Sequence, residues 1–123
     1  MMKRALLLVA LMGCAEEPKA YSPEYLGIET ILMDNDLVTF RVAMKGARAK
    51  DDVIAYARCA AAQYALIRGY GFARHLRTNI AESGGISRGD AVYTISAALP
   101  LGLRNIDAEV TVRDCAAQGI PTV

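Results

Sequence analysis

The strongest constraint on this chain is a change of hydrophobic period between neighbouring segments. From Leu37 to Lys45, Val38, Phe40, Val42 and Met44 alternate with Thr39, Arg41 and Lys45. A period of two puts the apolar set on one side of a half-buried strand. Beyond Asp52 the period lengthens, and Val53, Ala57, Ala60, Tyr64 and Ile67 recur at helical steps along one face. Tyr56 and Cys59 border that face, and Arg58 lies on its far side. Asp51 or Asp52 suits the positive end of the helix as a cap, and Gly69 suits its stop. The small alanines would let such a helix lie close to a sheet.

The other segments read as strands. Ile28 to Met33 is apolar and β-branched, and Asp34-Asn35-Asp36 turns it back onto Leu37–Lys45 as a hairpin. The turn opens like a calcium loop but lacks that loop's later acidic, Gly and Glu positions. Phe72 to Ile80 has helical spacing, yet the preceding glycines favour a strand. Ala81 to Gly89 reads as a mobile connection. Tyr93 to Leu99 alternates up to Pro100, and Ile106 to Arg113 alternates again, so residues 100–105 are expected to close a second hairpin. The order is strand-strand-helix-strand-strand-strand. One helix covers one face of a sheet and leaves the other to water. The expected fold is α+β, two-layered, with a mostly antiparallel sheet and one helix.

The chain starts differently. Lys3 and Arg4 precede an unbroken apolar run from Ala5 to Met12. That run is far short of the roughly 20 residues a spanning helix needs, and suits the core of a secretory signal. It stops at Leu11-Met12-Gly13-Cys14, which resembles the lipobox of bacterial lipoproteins. Met12 stands where that pattern usually has a small residue. The resemblance implies that Cys14 accepts a diacylglycerol, that cleavage falls after Gly13, and that the new terminus is acylated, palmitate being a fitting chain. Ala15 stands where an Asp would imply retention at the inner membrane. The implied address is therefore the outer membrane, facing the periplasm, in a host with two membranes. Residues 1–13 are then the signal peptide, 14–27 a lipidated tether containing Pro18, Pro23 and Gly27, and 28–123 a single domain. Losing Lys3 and Arg4 leaves 12 Lys+Arg against 13 Asp+Glu.

With Cys14 lipidated, Cys59 and Cys115 remain of the three cysteines. An oxidising compartment favours pairing them, the alternative being two buried thiols that act as small hydrophobes. The stretches Leu37–Gly46 and Ala55–Phe72, with the Leu-Met-Gly-Cys start, are also similar to small uncharacterised proteobacterial envelope lipoproteins. Those relatives often carry Arg where this chain has Ala60.

Chemistry is sparse. A net charge of +1 gives no field for nucleic acid, and the one histidine, His75, with two paired cysteines cannot build a zinc site. No Gly-x-Ser-x-Gly elbow surrounds a serine, and no glycine pair opens a helix as a phosphate loop must. No cofactor, metal or catalytic set is expected. Arg68, Arg74, Arg77 and Arg88 make one region basic, and Arg74, His75, Arg77 and Arg88 are the candidate partner-binding residues. The alternative is a solvated face with arginine stems lying on the sheet. The expected function is a non-enzymatic binding or structural module, held on the membrane through Cys14 and engaging an envelope protein or cell-wall component. The competing reading is a small periplasmic hydrolase using an unrecognised carboxylate or His75. A deep cleft with His75 beside Asp or Glu favours the hydrolase, and a flat or edge-strand surface around residues 72–80 favours the module.

Overall fold

In the computed structural model, which describes residues 20–102 and 104–123, the alternating segments pair into one antiparallel sheet. The elements run β1 (Glu24–Leu32), β2 (Leu37–Lys45), α1 (Lys50–Ile67), β3 (Phe72–Ser83), β4 (Ile86–Ser96), β5 (Asn105–Asp107) and α2 (Ala108–Gln118). In space the strands lie in the order β1-β2-β4-β3-β5. The fold is α+β, with both helices packed together and α1 lying on the sheet. The apolar run and the Leu11–Cys14 segment lie outside the described residues.

The first hairpin forms where the turn residues stand. Leu32 pairs with Val38, and the Met33 amide donates to the Leu37 carbonyl at 2.8 Å. Its first strand begins at Glu24, inside the stretch expected to be tether. Two contacts tie that stretch down: Tyr25 meets Tyr56 of α1 edge-on at 4.7 Å, and the Arg48 guanidinium lies 3.6 Å above the Tyr21 ring. At the start of α1, Ala49 occupies the cap position, and Asp52 reaches back to accept from the Arg48 amide at 2.8 Å.

Phe72–Ile80 lies within a strand, and the expected mobile connection over residues 81–89 is instead a tight turn between two paired strands. Gly84 and Gly85 both have positive φ, 59° and 77°, so they form the two-residue turn whose twist matches a hairpin. Ser83 pairs with Ile86 directly across it. The second hairpin is therefore β3–β4.

The expected last strand is mostly a second helix. Only Asn105–Asp107 is extended, and it pairs with Phe72–Arg74 of β3 rather than with β4. Asp107 ends the strand by capping α2, its carboxylate accepting from the Val110 amide at 3.2 Å. Gly119, at φ 70°, closes the helix. A disulfide between Cys59 and Cys115, with Cα atoms 5.9 Å apart, fastens α2 to α1. These caps and the bridge outweigh the short alternation of Ala108, Val110 and Val112.

Val38, Phe40, Val42 and Met44 are all buried beneath α1, as their period requires. So are Val53, Ala57 and Ala60 on the facing side of the helix. Tyr56, Cys59, Ala61, Ala62 and Ala65 are buried as well; Tyr56 meets Tyr25 of β1, and Cys59 lies on the side where α2 is bridged to α1. On the expected face Tyr64 is only partly buried, and Ile67 at the helix end is 61% exposed. α1 comes close to the sheet at Gly89 of β4, where an added Cβ would lie 2.8 Å from Val53 Cγ1.

Gly89→Ala should therefore lower unfolding free energy by about 1–3 kcal/mol in urea titrations, the usual cost of overpacking a filled core. Gly71→Ala, where an added Cβ meets nothing within 4 Å, should leave the midpoint almost unchanged. Replacing Cys59 and Cys115 together by Ser should cost up to about 4 kcal/mol on the loop-entropy estimate for a 56-residue separation. A reductant should lower the wild-type midpoint but not that of the double variant.

Candidate functional site

A bulge in β3 decides which of the candidate residues meet. His75 pairs with Tyr93 and Arg77 with Val92, so Leu76 is the extra residue between them. On unbroken parity Arg77 would share a face with His75. The bulge instead places Arg77 with Arg74 on the sheet face away from the helices. Arg88 is on that face too, opposite Ala81, with the Asn79–Asp90 pair between it and Arg77. The structure thus splits the basic set: Arg74, Arg77 and Arg88 spread over the outer face, and His75 turns toward the helices. Arg68 caps the end of α1, its guanidinium 3.0 Å from the Tyr64 hydroxyl.

The outer face carries mixed charge. Arg41 lies 3.5 Å from Asp90 and 3.9 Å from Glu29, all more than half exposed, and such surface pairs contribute little. Arg74 rests against the loop at Gly102. Beyond Arg74, where pairing with β5 stops, β3 is an edge of the sheet. Around residues 76–83 the surface is therefore an edge strand beside a flat face.

The concave feature is on the other side. A cleft of about 580 Å³ opens between α1, α2 and the β3–β5 end of the sheet, with the Cys59–Cys115 bridge in its wall. At its base the His75 and Tyr93 rings are 5.1 Å apart. Arg58 of α1 and Arg104, just before β5, line the same cleft and bring positive charge to it. Burial, then the Arg104 charge, lowers the His75 pKa against an opposing backbone hydrogen bond at Arg77, which favours the neutral imidazole. Burial pushes the Tyr93 hydroxyl up to about 12, with Arg58 pulling the other way. The phenol stays protonated and able to donate.

His75 Nε2 lies 2.6 Å from Thr78 Oγ1. The Asn105 amide nitrogen donates to the Gly102 carbonyl at 2.9 Å and to the Pro100 carbonyl, leaving Asn105 Oδ1 buried with no partner among the described residues. Asp107 and Asp114 also line the cleft. Asp107 is occupied as the α2 cap, and neither carboxylate hydrogen-bonds to His75 among the described residues. Nor does any group of three or more His, Cys, Asp or Glu side chains there come together to hold a metal ion.

Sequence reasoning singled out His75 but missed Arg58, Tyr93, Arg104 and Asn105 as its company. Their meeting depends on β5 crossing to β3 and on α2 existing at all. One signal was present: Asp107 before Ala108-Glu109, with Gly119 beyond, reads as a capped helix with a stop.

The family described as YNQ4 C-terminal domain matches residues 25–119, from the start of β1 to the glycine that closes α2. An "Uncharacterized 26.9 kDa protein in nqo8 5'region" of Paracoccus denitrificans is 34% identical over 87 residues. That is 71% of this chain and 34% of the Paracoccus protein, so the chain spans about a third of that curated relative's length. No solved structure matches.

Proton NMR of the one imidazole should give His75 a titration midpoint below the ordinary value of about 6.5. Arg104→Gln should raise it by removing the second-largest cause. A base with a depressed folded pKa stabilises the fold above its unfolded pKa and loses that contribution as pH falls through the folded value. The His75 contribution should therefore decline on acidification below about pH 6.5, and His75→Gln should flatten that part of the stability profile.

Proposed function

The chain belongs to the YNQ4 C-terminal domain family, and from that footing we propose that it is a lipid-anchored module of the cell envelope that binds its ligand. The observation that carries the reading is the Cys59–Cys115 bridge. It accounts for two of three cysteines, and a structural disulfide suits an exported protein. The remaining one, Cys14, ends an apolar run behind Lys3 and Arg4 in a Leu-Met-Gly-Cys sequence. The anchor is needed for membrane attachment on this reading, since no described helix is long and apolar enough to cross a membrane. Two or more acyl chains give stable attachment where one is marginal. The outer membrane, facing the periplasm, is the proposed address.

A hydrolase reading has one observation in its favour, the 2.6 Å contact between His75 Nε2 and Thr78 Oγ1. A hydroxyl beside an imidazole is the start of an activated nucleophile. Three features weigh toward binding instead. Thr78 faces Ala91 within the sheet and is not part of the cleft lining. His75 has no hydrogen-bonded carboxylate among the described residues, and burial keeps the Tyr93 phenol protonated.

Cys14→Ser tests the anchor. In envelope fractions fed a tagged palmitate, the wild type should be labelled and sediment with membranes. The variant should be unlabelled and either unprocessed or soluble. A labelled, membrane-bound Cys14→Ser protein contradicts the proposal.

A further inference from the structure

The cleft's volume, about 580 Å³, is in the range of sites that hold small molecules, and its lining sets Arg58, Arg104 and His75 beside Asp107, already held as the α2 cap, and Asp114. Arg58 of α1 and Arg104, just before β5, both line the cleft with His75 and Tyr93, and neither is in an ion pair among the described residues. Two unpaired cations lining one half-enclosed space favour an anion there. A guanidinium meets a carboxylate through paired N–H donors, so a planar carboxylate suits better than a bare point charge. Tyr93 is almost wholly buried, lines the same space, and donates no hydrogen bond to a protein group among the described residues.

The second observation is independent of charge. Asn105 spends both amide hydrogens on its own loop and leaves Oδ1 buried and unpartnered. An unpaired buried acceptor is costly, and because Asn105 lines the cleft, a small shift of its side chain lets a ligand N–H or O–H reach Oδ1 and remove that cost. The ligand therefore carries a donor close to its carboxylate. Ile106 and Val110 supply apolar surface beside these polar groups. A carboxylate, an adjacent N–H and a small apolar group together are the chemistry of a free peptide C-terminus, which proteins recognise by capturing the terminal carboxylate.

We propose that the cleft binds the free carboxyl end of a short peptide, with the carboxylate held by Arg58 and Arg104, the terminal amide N–H given to Asn105 Oδ1, and the last side chain laid over Ile106 and Val110. The proposal rests on the binding-module reading above but not on the anchor. Asp114, on α2 across the cleft, disfavours a second carboxylate nearby and so favours a ligand with one.

His75 is the only imidazole in the chain and reports on the site directly. Full-length protein in detergent is titrated with acetyl-alanyl-alanine, with its C-terminal amide, and with acetate, following the His75 ring protons. The acid peptide should saturate the shift and raise the His75 titration midpoint, because an anion beside the ring favours imidazolium. The amide should bind about tenfold more weakly or worse, as the loss of a charge-assisted pair implies. Acetate, lacking the N–H, should also bind more weakly than the acid peptide. Arg104→Gln and Arg58→Gln should each weaken the acid peptide by about tenfold and leave the amide nearly unaffected, with unchanged circular dichroism. Having both variants keeps the test open if one misfolds. Equal affinity for acid and amide, acetate binding as tightly as the peptide, or no His75 response at millimolar acid peptide would each overturn the proposal. Mass analysis of the recovered peptide separates the two claims. Intact peptide agrees with both, whereas a shortened one rejects the binding-module reading and leaves the recognition chemistry standing.

Discussion

The closeness of α1 to the sheet sets the rest of the molecule. Val53 of the helix sits over Gly89 of β4, with no space for even a methyl group on that glycine. Buried alanines line the helix there, and Ala91 continues the small row on the sheet. A helix seated this near the strands leaves the larger side chains to gather around it. Phe40 meets Tyr64 and Tyr93 edge-on at 5.8 and 6.0 Å, and Tyr25 meets Tyr56 on the β1 side. Edge-to-face aromatic pairs of this kind contribute roughly 0.5–1.5 kcal/mol each beyond area burial. They link the first hairpin and the centre of the sheet to one helix.

The second helix has less to hold it. Ala108 and Cys115 are its only fully buried residues, so α2 brings little apolar surface of its own. The bridge from Cys115 to Cys59 supplies what packing does not, and its position sets the cleft. With α2 pinned beside α1, the space over His75 and Tyr93 acquires a wall. With β5 pairing onto β3, Arg104 and Asn105 arrive at its rim. The bulge at Leu76 completes the division of labour by sending Arg77 to the outer face and keeping His75 inside. Charge on the outer face is spread and partly neutralised by Asp90 and Glu29. The cleft, by contrast, is lined by Arg58 and Arg104 and by Asn105, whose Oδ1 is left without a partner among the described residues.

Period and turn chemistry made the first hairpin, α1 and the α+β class legible from the sequence. They extend over long enough runs for one reading to dominate. Residues 106–113 misled because Ala108, Val110 and Val112 alternate over too few positions to separate strand from helix. The Asp107 cap and the distant Cys59 decide that segment. The Gly84-Gly85 turn was hidden among polar neighbours that read as a loop, although two adjacent glycines suffice for a hairpin. Arg77 changed faces through a bulge, which leaves no mark on composition or period. Pairing of Cys59 with Cys115 was legible by compartment and elimination, before any geometry. The cleft was not, since it combines a crossover, a bulge and a helix that periodicity concealed.

If the bridge is what holds α2 and builds the cleft wall, α2 is a separately opening unit once the bond is gone. Amide hydrogen exchange on the oxidised and the reduced protein measures this element by element. In the oxidised protein α2 should be protected along with α1. Reduction should then expose the α2 amides to fast exchange while α1, β2 and β4 keep their protection. Protection of α2 that survives reduction, or equal loss in every element, would contradict that role for the bridge.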